Sequence, residues 1–256
     1  MKPTSIQLDE LTRYLNTELN IAQFKDYCPN GLQVEGKAEV KKIVTGVTAS
    51  QALIDAAIAE DADAILVHHG YFWKGEPEAI VGMKKKRIQS LLKHDISLLG
   101  YHLPLDSHAE WGNNVQLAKV LNLSVDDTLD PFDPRVPGNI GKLPAPMSGH
   151  EFAQYISKKL NRAPQHIGDP DAIIETVAWC TGGAQSYMHY AINQGIDAFI
   201  SGEISEPSFH NAQETGVHYY AAGHHATERY GAKALGEHLA DKFGLDVVFI
   251  DIDNPV

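Results

Sequence analysis

The chain has 256 residues, 43% of them hydrophobic, enough for one large or two modest globular domains. Its 33 acidic against 21 basic residues give a formal charge of −12, which argues against sequence-independent nucleic-acid binding, a mode that depends on basic surface. No apolar run approaches the roughly 18–20 residues of a membrane span, the opening MKPTSIQLDELTRYLN lacks the apolar stretch of a signal peptide, and Cys28 and Cys180 are too few for a disulfide framework, so a cytoplasmic location is expected.

In chain order, the first predicted element is a helix over Ile6 to Leu19. The stretch IVTGVTASQALIDAAIAEDADAILVHHG (43–70) then reads as a strand, a T-G turn, a helix opened near Ser50 and a second strand ending on two histidines. The basic run MKKKR (83–87) precedes an apolar IQSLL and reads as the solvated face of a helix. A further strand, ISLLGYHLPLD (96–106), runs into a polar turn, followed by the helix GNNVQLAKVLNL. Residues 126–149 hold five of the thirteen prolines, show no periodicity and read as a connection. Ser148 and Glu151 have capping-box spacing for a helix through Leu160.

The pattern then repeats. AWCTGGAQSYMHYAINQGIDAFISGEIS (178–205) echoes residues 43–70, with a helix near Ser186, and VHYYAAGHHATE (217–228) echoes residues 96–106. Two copies of a β-α-β-α-β-α unit account for this. The expected fold is therefore α/β: two similar three-layer α/β/α lobes from an internal duplication, with mainly parallel or mixed sheets. The expected lobes are 1–125 and 150–256, joined by 126–149, with a site formed between both.

Ligands of such sheets collect beyond the C-terminal strand ends. His68 and His69, Asp106 and His224 each follow a predicted strand. Within a strand, adjacent side chains point to opposite faces, whereas at a strand end both imidazoles can turn to one point. Taken alone, His68-His69 could equally be surface histidines, and Asp106 a turn carboxylate. His224 and Glu228 are four apart and share a helical face, a spacing that chance also produces. Together, three imidazoles and two carboxylates exceed the three protein ligands of a single open catalytic zinc, and they suit two ions about 3.5–4 Å apart. Zn, Fe, Mn, Co and Ni all accept such donors, and the donor set does not choose among them.

NGLQVEG, VTGVTAS, HHGYFWKG, HLPLD, TGG, GE and AGHHATE, in this order from Asn30 to Asn254, resemble the Nif-three-like dinuclear metal-centre proteins, also labelled GTP cyclohydrolase type 2 homologs, and most of all their short bacterial branch. The resemblance implies a two-domain α/β protomer in a toroidal homohexamer, with two divalent ions per chain facing the ring interior. It implies His68 and His69 as ligands, one to each ion, Asp106 and His224 completing one ion each, and Glu228 bridging both.

Three further residues are candidates for catalysis. Glu203 ends the strand that matches that of His68-His69 and could orient a ligand histidine, act as a base or cap a helix. His210 and His102 could move a proton or be ordinary helix and turn histidines. Cys180 reads as a buried small hydrophobe. The TGGAQS turn could present amides to a phosphate, but it lacks a Walker lysine and is equally explained by tight packing. Two functions follow as expectations. One is a metal-dependent hydrolase acting on a nucleotide or related phosphorylated small molecule, GTP ring opening being the version the family label suggests and phosphoester hydrolysis its chemical neighbour. The other is a metal-stabilised hexameric adaptor or scaffold without turnover.

Overall fold

In the computed structural model residues 4–133 and 135–256 are described; Met1–Pro3 and Pro134, the latter inside the expected connection, lie outside them. The chain packs into two compact units, Met1–Trp111 with Gly231–Asp253, and Gly112–Tyr230 with Asn254–Val256. The first contributes β1 (Ile6–Gln7), α1 (Leu8–Glu18), β2 (Gly31–Val34), β3 (Glu39–Val40), β4 (Lys42–Thr48), α2 (Gln51–Ala59), β5 (Ala64–His69), α3 (Gly82–Lys93), β6 (Ser97–Gly100) and α4 (Leu103–Ser107). The predicted opening helix begins two residues late, because Ile6 and Gln7 pair antiparallel with Val40 and Glu39. Strands β4, β5 and β6 lie side by side in chain order and run parallel, with β2 antiparallel beyond β6.

Alternation along these strands splits their side chains between two cores. Ile43, Ala64, Leu66 and Leu99 join Leu8, Leu11 and Leu15 of α1. Val44, Ile65, Val67 and Leu98 join Leu53, Ile54 and Ala57 of α2 and Ile88 and Leu91 of α3. Helices therefore cover both faces, the expected three layers. Ser50 caps α2, its Oγ accepting from the Leu53 amide at 3.3 Å. On α3, Lys85 and Lys86 are exposed while Ile88 and Leu91 are buried, as the charge pattern predicts.

The second unit contributes α5 (Asn113–Leu121), β7 (Asp127–Thr128), β8 (Asn139–Ser148), α6 (Gly149–Leu160), β9 (Gln165–Ile167), β10 (Ile173–Trp179), α7 (Met188–Gln194), β11 (Ala198–Ser201), α8 (Glu206–Thr215) and β12 (His218–Ala221). Its sheet order is β7-β8-β10-β11-β12-β9. Here too three strands, β10, β11 and β12, run parallel in chain order, and β9 and β8 flank them antiparallel. One face packs on α5 and α6, through Leu117, Leu121, Phe152 and Ile156. The other packs on α7 and α8, through Met188, Ala191 and Ala212. The capping box of Ser148 and Glu151 forms as predicted. The helix expected near Ser186 instead opens with a short 3-10 turn over Gln185–Tyr187.

Two boundaries differ from the sequence reading. The segment 126–149 is not a bare connection, since it contains the ten-residue β8. Pro144 and Pro146 are tolerated there because β7 pairs only with Ile140 and Asn139, leaving the later part of β8 an edge on that side, and the ladder with β10 shifts register between Ile174 and Thr176. The last helix, α9 (His224–Phe243), starts in the second unit and from Gly231 belongs to the first. The first unit ends in β13 (Asp246–Phe249), parallel to β4. Among the described residues no helix is long and apolar enough to cross a membrane.

Candidate metal centre

In the first unit the candidate residues gather at the C-terminal ends of β4, β5 and β6. Alternation would send His68 toward the face of Leu66 and His69 toward that of Val67. Their ring centroids are nonetheless 4.5 Å apart, because β5 stops there and turns at Gly70. A β-carbon at Gly70 would meet the end of the Gln33 side chain, whose Oε1 accepts from the Tyr71 amide at 2.7 Å, so a larger residue would have to displace that contact.

Each imidazole is oriented by its Nδ1. In the buried His68, Nδ1 donates to the Tyr101 carbonyl at 3.0 Å, so Nε2 carries the lone pair. His69 Nδ1 lies 3.1 Å from Thr48 Oγ1. His102, two residues beyond β6, has Nδ1 2.7 Å from Asp26 Oδ1, and Asp26 also accepts from the Leu103 amide at 2.9 Å and Asn30 Nδ2 at 2.8 Å. Burial by itself would raise the pKa of Asp26. The hydrogen bond and charge of His102, with the Asn30 and Tyr27 hydrogen bonds, overcome that and hold the carboxyl below its ordinary range.

Asp106, buried in α4, places Oδ1 3.5 Å from His68 Nε2. One ligand atom each from His68, His69 and His102 lie within 4.8 Å of one another, and the same holds for Asp26, Cys28 and His102. Burial, with Asp26 adding to it, pushes the Cys28 thiol up to about 12. In the metal-free protein it is a neutral thiol.

In the second unit the C-terminal ends of β10, β11 and β12 supply Thr181-Gly182-Gly183, Glu203 and His224. His224 Nδ1 lies 2.7 Å from Glu203 Oε1, and its Nε2 lies 3.1 Å from Glu228 Oε2. Glu228 is one turn further along α9 and buried. Burial alone would lower the His224 pKa. The two carboxylates, Glu228 more than Glu203, override it and push the imidazole up to about 9. At neutral pH the metal-free site holds a proton where a cation would bind.

The glycines of the TGG turn close this site. Gly182 has φ +68°, and a β-carbon there would collide with Glu228 Oε1 and come within 3.0 Å of His224 Nε2. Gly183 packs 3.6 Å from His224 Cε1 by the same measure. Thr227 Oγ1 accepts from the Gly182 amide at 3.0 Å, and Ser201 Oγ donates to the Gly182 carbonyl at 3.0 Å. The turn therefore serves close packing against a carboxylate and an imidazole. Tyr219 hydroxyl donates to the Glu203 carbonyl at 2.5 Å and anchors that residue's backbone.

Within the first unit, His68, His69, Asp106 and His102 come together; within the second, His224, Glu228 and Glu203 do. His210 is placed otherwise: on α8 its Nε2 lies 2.9 Å from Glu206 Oε1 in an exposed pair one turn apart. Cys180 is buried, as expected. The reading of the sequence passed over Asp26, Asn30, Thr48 and Thr227. Asn30, Thr48 and Thr227 lie within the motifs NGLQVEG, VTGVTAS and AGHHATE, and the one signal for Asp26 was a polar cluster, DYCPNG, leading into a strand.

The model of the family Duf34/NIF3 (NGG1p interacting factor 3) matches residues 6–255. The chain belongs to this family. A Vibrio cholerae relative named "GTP cyclohydrolase 1 type 2 homolog" is 58% identical over 254 residues, covering 98% of this chain and 99% of that protein. An Escherichia coli K12 protein of the same name is 54% identical, covering 96% and 98%. A crystal structure of a Thermus thermophilus protein superposes with a TM-score of 0.86 at 38% identity, covering 98% of this chain and all of the other. The membership agrees with the resemblance seen in the motifs, and with side-chain groups able to hold a metal.

Proposed function

We propose that this Duf34/NIF3 protein holds two divalent ions per chain and is a cytoplasmic metal-dependent hydrolase of a nucleotide or related phosphorylated small molecule, working as a homohexamer. The observation that carries the metal reading occurs once in each unit. A histidine has its Nδ1 tied to an oxygen acceptor and a buried carboxylate beside its Nε2: His68 with Tyr101 and Asp106, and His224 with Glu203 and Glu228. That is the outer hydrogen bond and inner donor pair expected of a metal-binding imidazole. Hard and borderline divalent cations suit such donors.

His68, His69, Asp106, His224 and Glu228 are the proposed ligands, following the motif order of the family. Glu203 is proposed to fix the His224 ring rather than to bind metal, since it meets Nδ1, the nitrogen turned away from Glu228. The exposed His210–Glu206 pair is left outside the site. Divalent ions held here supply Lewis-acid polarisation and a water that is acidic enough to be nucleophilic at neutral pH. The name shared by the relatives favours GTP-like substrates.

The test is elemental analysis of protein purified without added metal, followed by a turnover screen over nucleotides with and without chelator. Two ions per chain and activity that chelator abolishes and one metal restores are expected. No turnover from metal-replete protein across the screen would favour the adaptor over the hydrolase, and metal-free protein that takes up no divalent ion would remove both.

A further inference from the structure

The first unit has a second concave feature, away from the strand-end histidines, between helix α1 and strand β2. We propose that this cleft binds an extended peptide, added as a further strand to the open edge of β2, in which apolar side chains alternate with basic ones. The proposal goes beyond the metal reading and does not rest on it.

Shape is the first observation. The cleft has a volume of about 970 Å³ and lies between α1 and the segment from β2 to Ala38. β2 ends the five-stranded sheet, with β6 on one side and no strand among the described residues on the other. Such an edge presents amides and carbonyls that a further strand can take up. Leu8, Thr12 and Asn16 form one stripe of α1 along the cleft, and that stretch of helix spans about 12 Å. Gly31–Val34 of β2 span about 13 Å, so the two walls match an extended segment of about four residues. The walls are also tied together. Asn16 Oδ1 accepts from the Tyr101 hydroxyl at 2.9 Å, and a β-carbon on Gly31 would come within 3.1 Å of that oxygen.

The second observation is the chemistry of the lining. The bond to Tyr101 leaves Asn16 Nδ2 with no acceptor among the described residues, and Thr12 Oγ1 is buried without a hydrogen-bond partner. With Asn20 these are neutral amide and hydroxyl groups, suited to the backbone of a peptide. Leu8, Ile21 and Leu32 give an apolar floor that is continuous with the core under α1. The one cation on the lining, Arg13, is paired with Asp9 at 3.3 Å, whereas Glu35 has no basic partner among the described residues. A phosphate therefore meets no unpaired cation here, and Glu35 favours a lysine or arginine on the ligand. Alternation along a strand then turns apolar side chains to the floor and basic ones to the rim.

The test uses the full chain on an array of capped hexapeptides, with the best binder remade with a fluorescein label for anisotropy. Sequences alternating Val or Leu with Lys or Arg should bind, and their acidic counterparts should not. Only every second amide of an added strand faces β2. N-methylation of one alternate set of peptide amides should therefore weaken binding by about tenfold or more, and of the other set hardly at all. Hydrogen exchange at Gly31–Val34 should slow when the peptide binds. Glu35→Lys should weaken the basic peptide by about threefold to tenfold, and Ala22→Trp should fill the cleft and abolish binding; both positions are exposed, so the core is untouched. An array without a binder overturns the proposal, as does a preference for acidic peptides. Equal tolerance of both N-methylated sets, or full affinity in Ala22→Trp protein, also overturns it. If the β2 amides are protected in protein alone and lose that protection on dilution to monomer, a second copy occupies the edge and the peptide reading falls.

Discussion

Each unit orients a histidine at its strand ends, and the two do so by different electrostatic means. His68 is fully buried and its Nδ1 donates to a neutral backbone carbonyl, that of Tyr101. His224 is partly exposed, and its Nδ1 faces the Glu203 carboxylate while Glu228 faces its Nε2. A neutral acceptor fixes the tautomer and little else. Two carboxylates also stabilise the imidazolium, so in metal-free protein His224 holds a proton that an arriving cation must displace.

Removing the inner carboxylate of the second unit should have the largest effect. Glu228→Gln keeps the shape but loses the charge that offsets cation repulsion, so metal content should fall from about two per chain to one or fewer. Mass spectrometry of metal per protomer decides it, and a variant that keeps two ions would show that Glu228 is no bridge.

Proton competition ranks next. The folded His224 pKa of about 9 lies above its ordinary 6.5. In metal-free protein its contribution to stability is therefore complete below about pH 6.5 and is lost as pH rises through about 9. Metal binding must run the other way. Each ion displaces one proton, so affinity at the second site should climb by about tenfold per pH unit until near pH 9. Isothermal titration in buffers of different ionisation enthalpy counts the released proton, and a heat independent of buffer at pH 7.5 would contradict the assignment. The acid limb has another source. His166 and His218, 3.0 Å apart and packed under Gly149 and Gly168, are both lowered, His166 to about 4, mainly by burial. Their depressed pKa values give stability that is present above about pH 6.5 and lost as pH falls toward 4.

How much of this the sequence discloses depends on distance along the chain. The strand-end histidines, the H-x-x-x-E spacing and the capping box are local patterns, and each forms where the pattern puts it. Asp26 was hidden because its partner, His102, is 76 residues away and the loop that carries it has no periodicity. The unit boundary was misplaced for the same reason. Only pairing of β13 with β4, some 200 residues apart, returns the C-terminal segment to the first sheet. Prolines likewise marked 139–148 as a loop, although the edge position of that part of β8 leaves room for them.

Glu203→Gln probes the carboxylate behind His224 directly. The amide can still accept from Nδ1, so orientation survives in part, but the charge that raises imidazole basicity is gone. Metal should be retained with affinity reduced by about 10–100-fold, and any turnover should fall to a similar extent. Loss of both ions would place Glu203 among the ligands themselves.

The smallest effect belongs to the matching position of the first unit. His69 Nδ1 is held by the Thr48 hydroxyl at 3.1 Å, at the last register pair of β4 and β5. Thr48→Val removes the hydroxyl and keeps the β-branched shape that the strand prefers, so the backbone ladder should be unchanged. A neutral hydrogen bond of this kind contributes about 0.5–1.5 kcal/mol, whereas one to a charged partner contributes about 1.5–3 kcal/mol. Affinity for cobalt should therefore drop by roughly twofold to tenfold, less than for Glu203→Gln, and its pH dependence should not change because no charge has been removed. Measured side by side, the two variants test whether charge separates the units. If Thr48→Val costs as much as Glu203→Gln, ring orientation alone governs both sites and the electrostatic distinction between them is wrong.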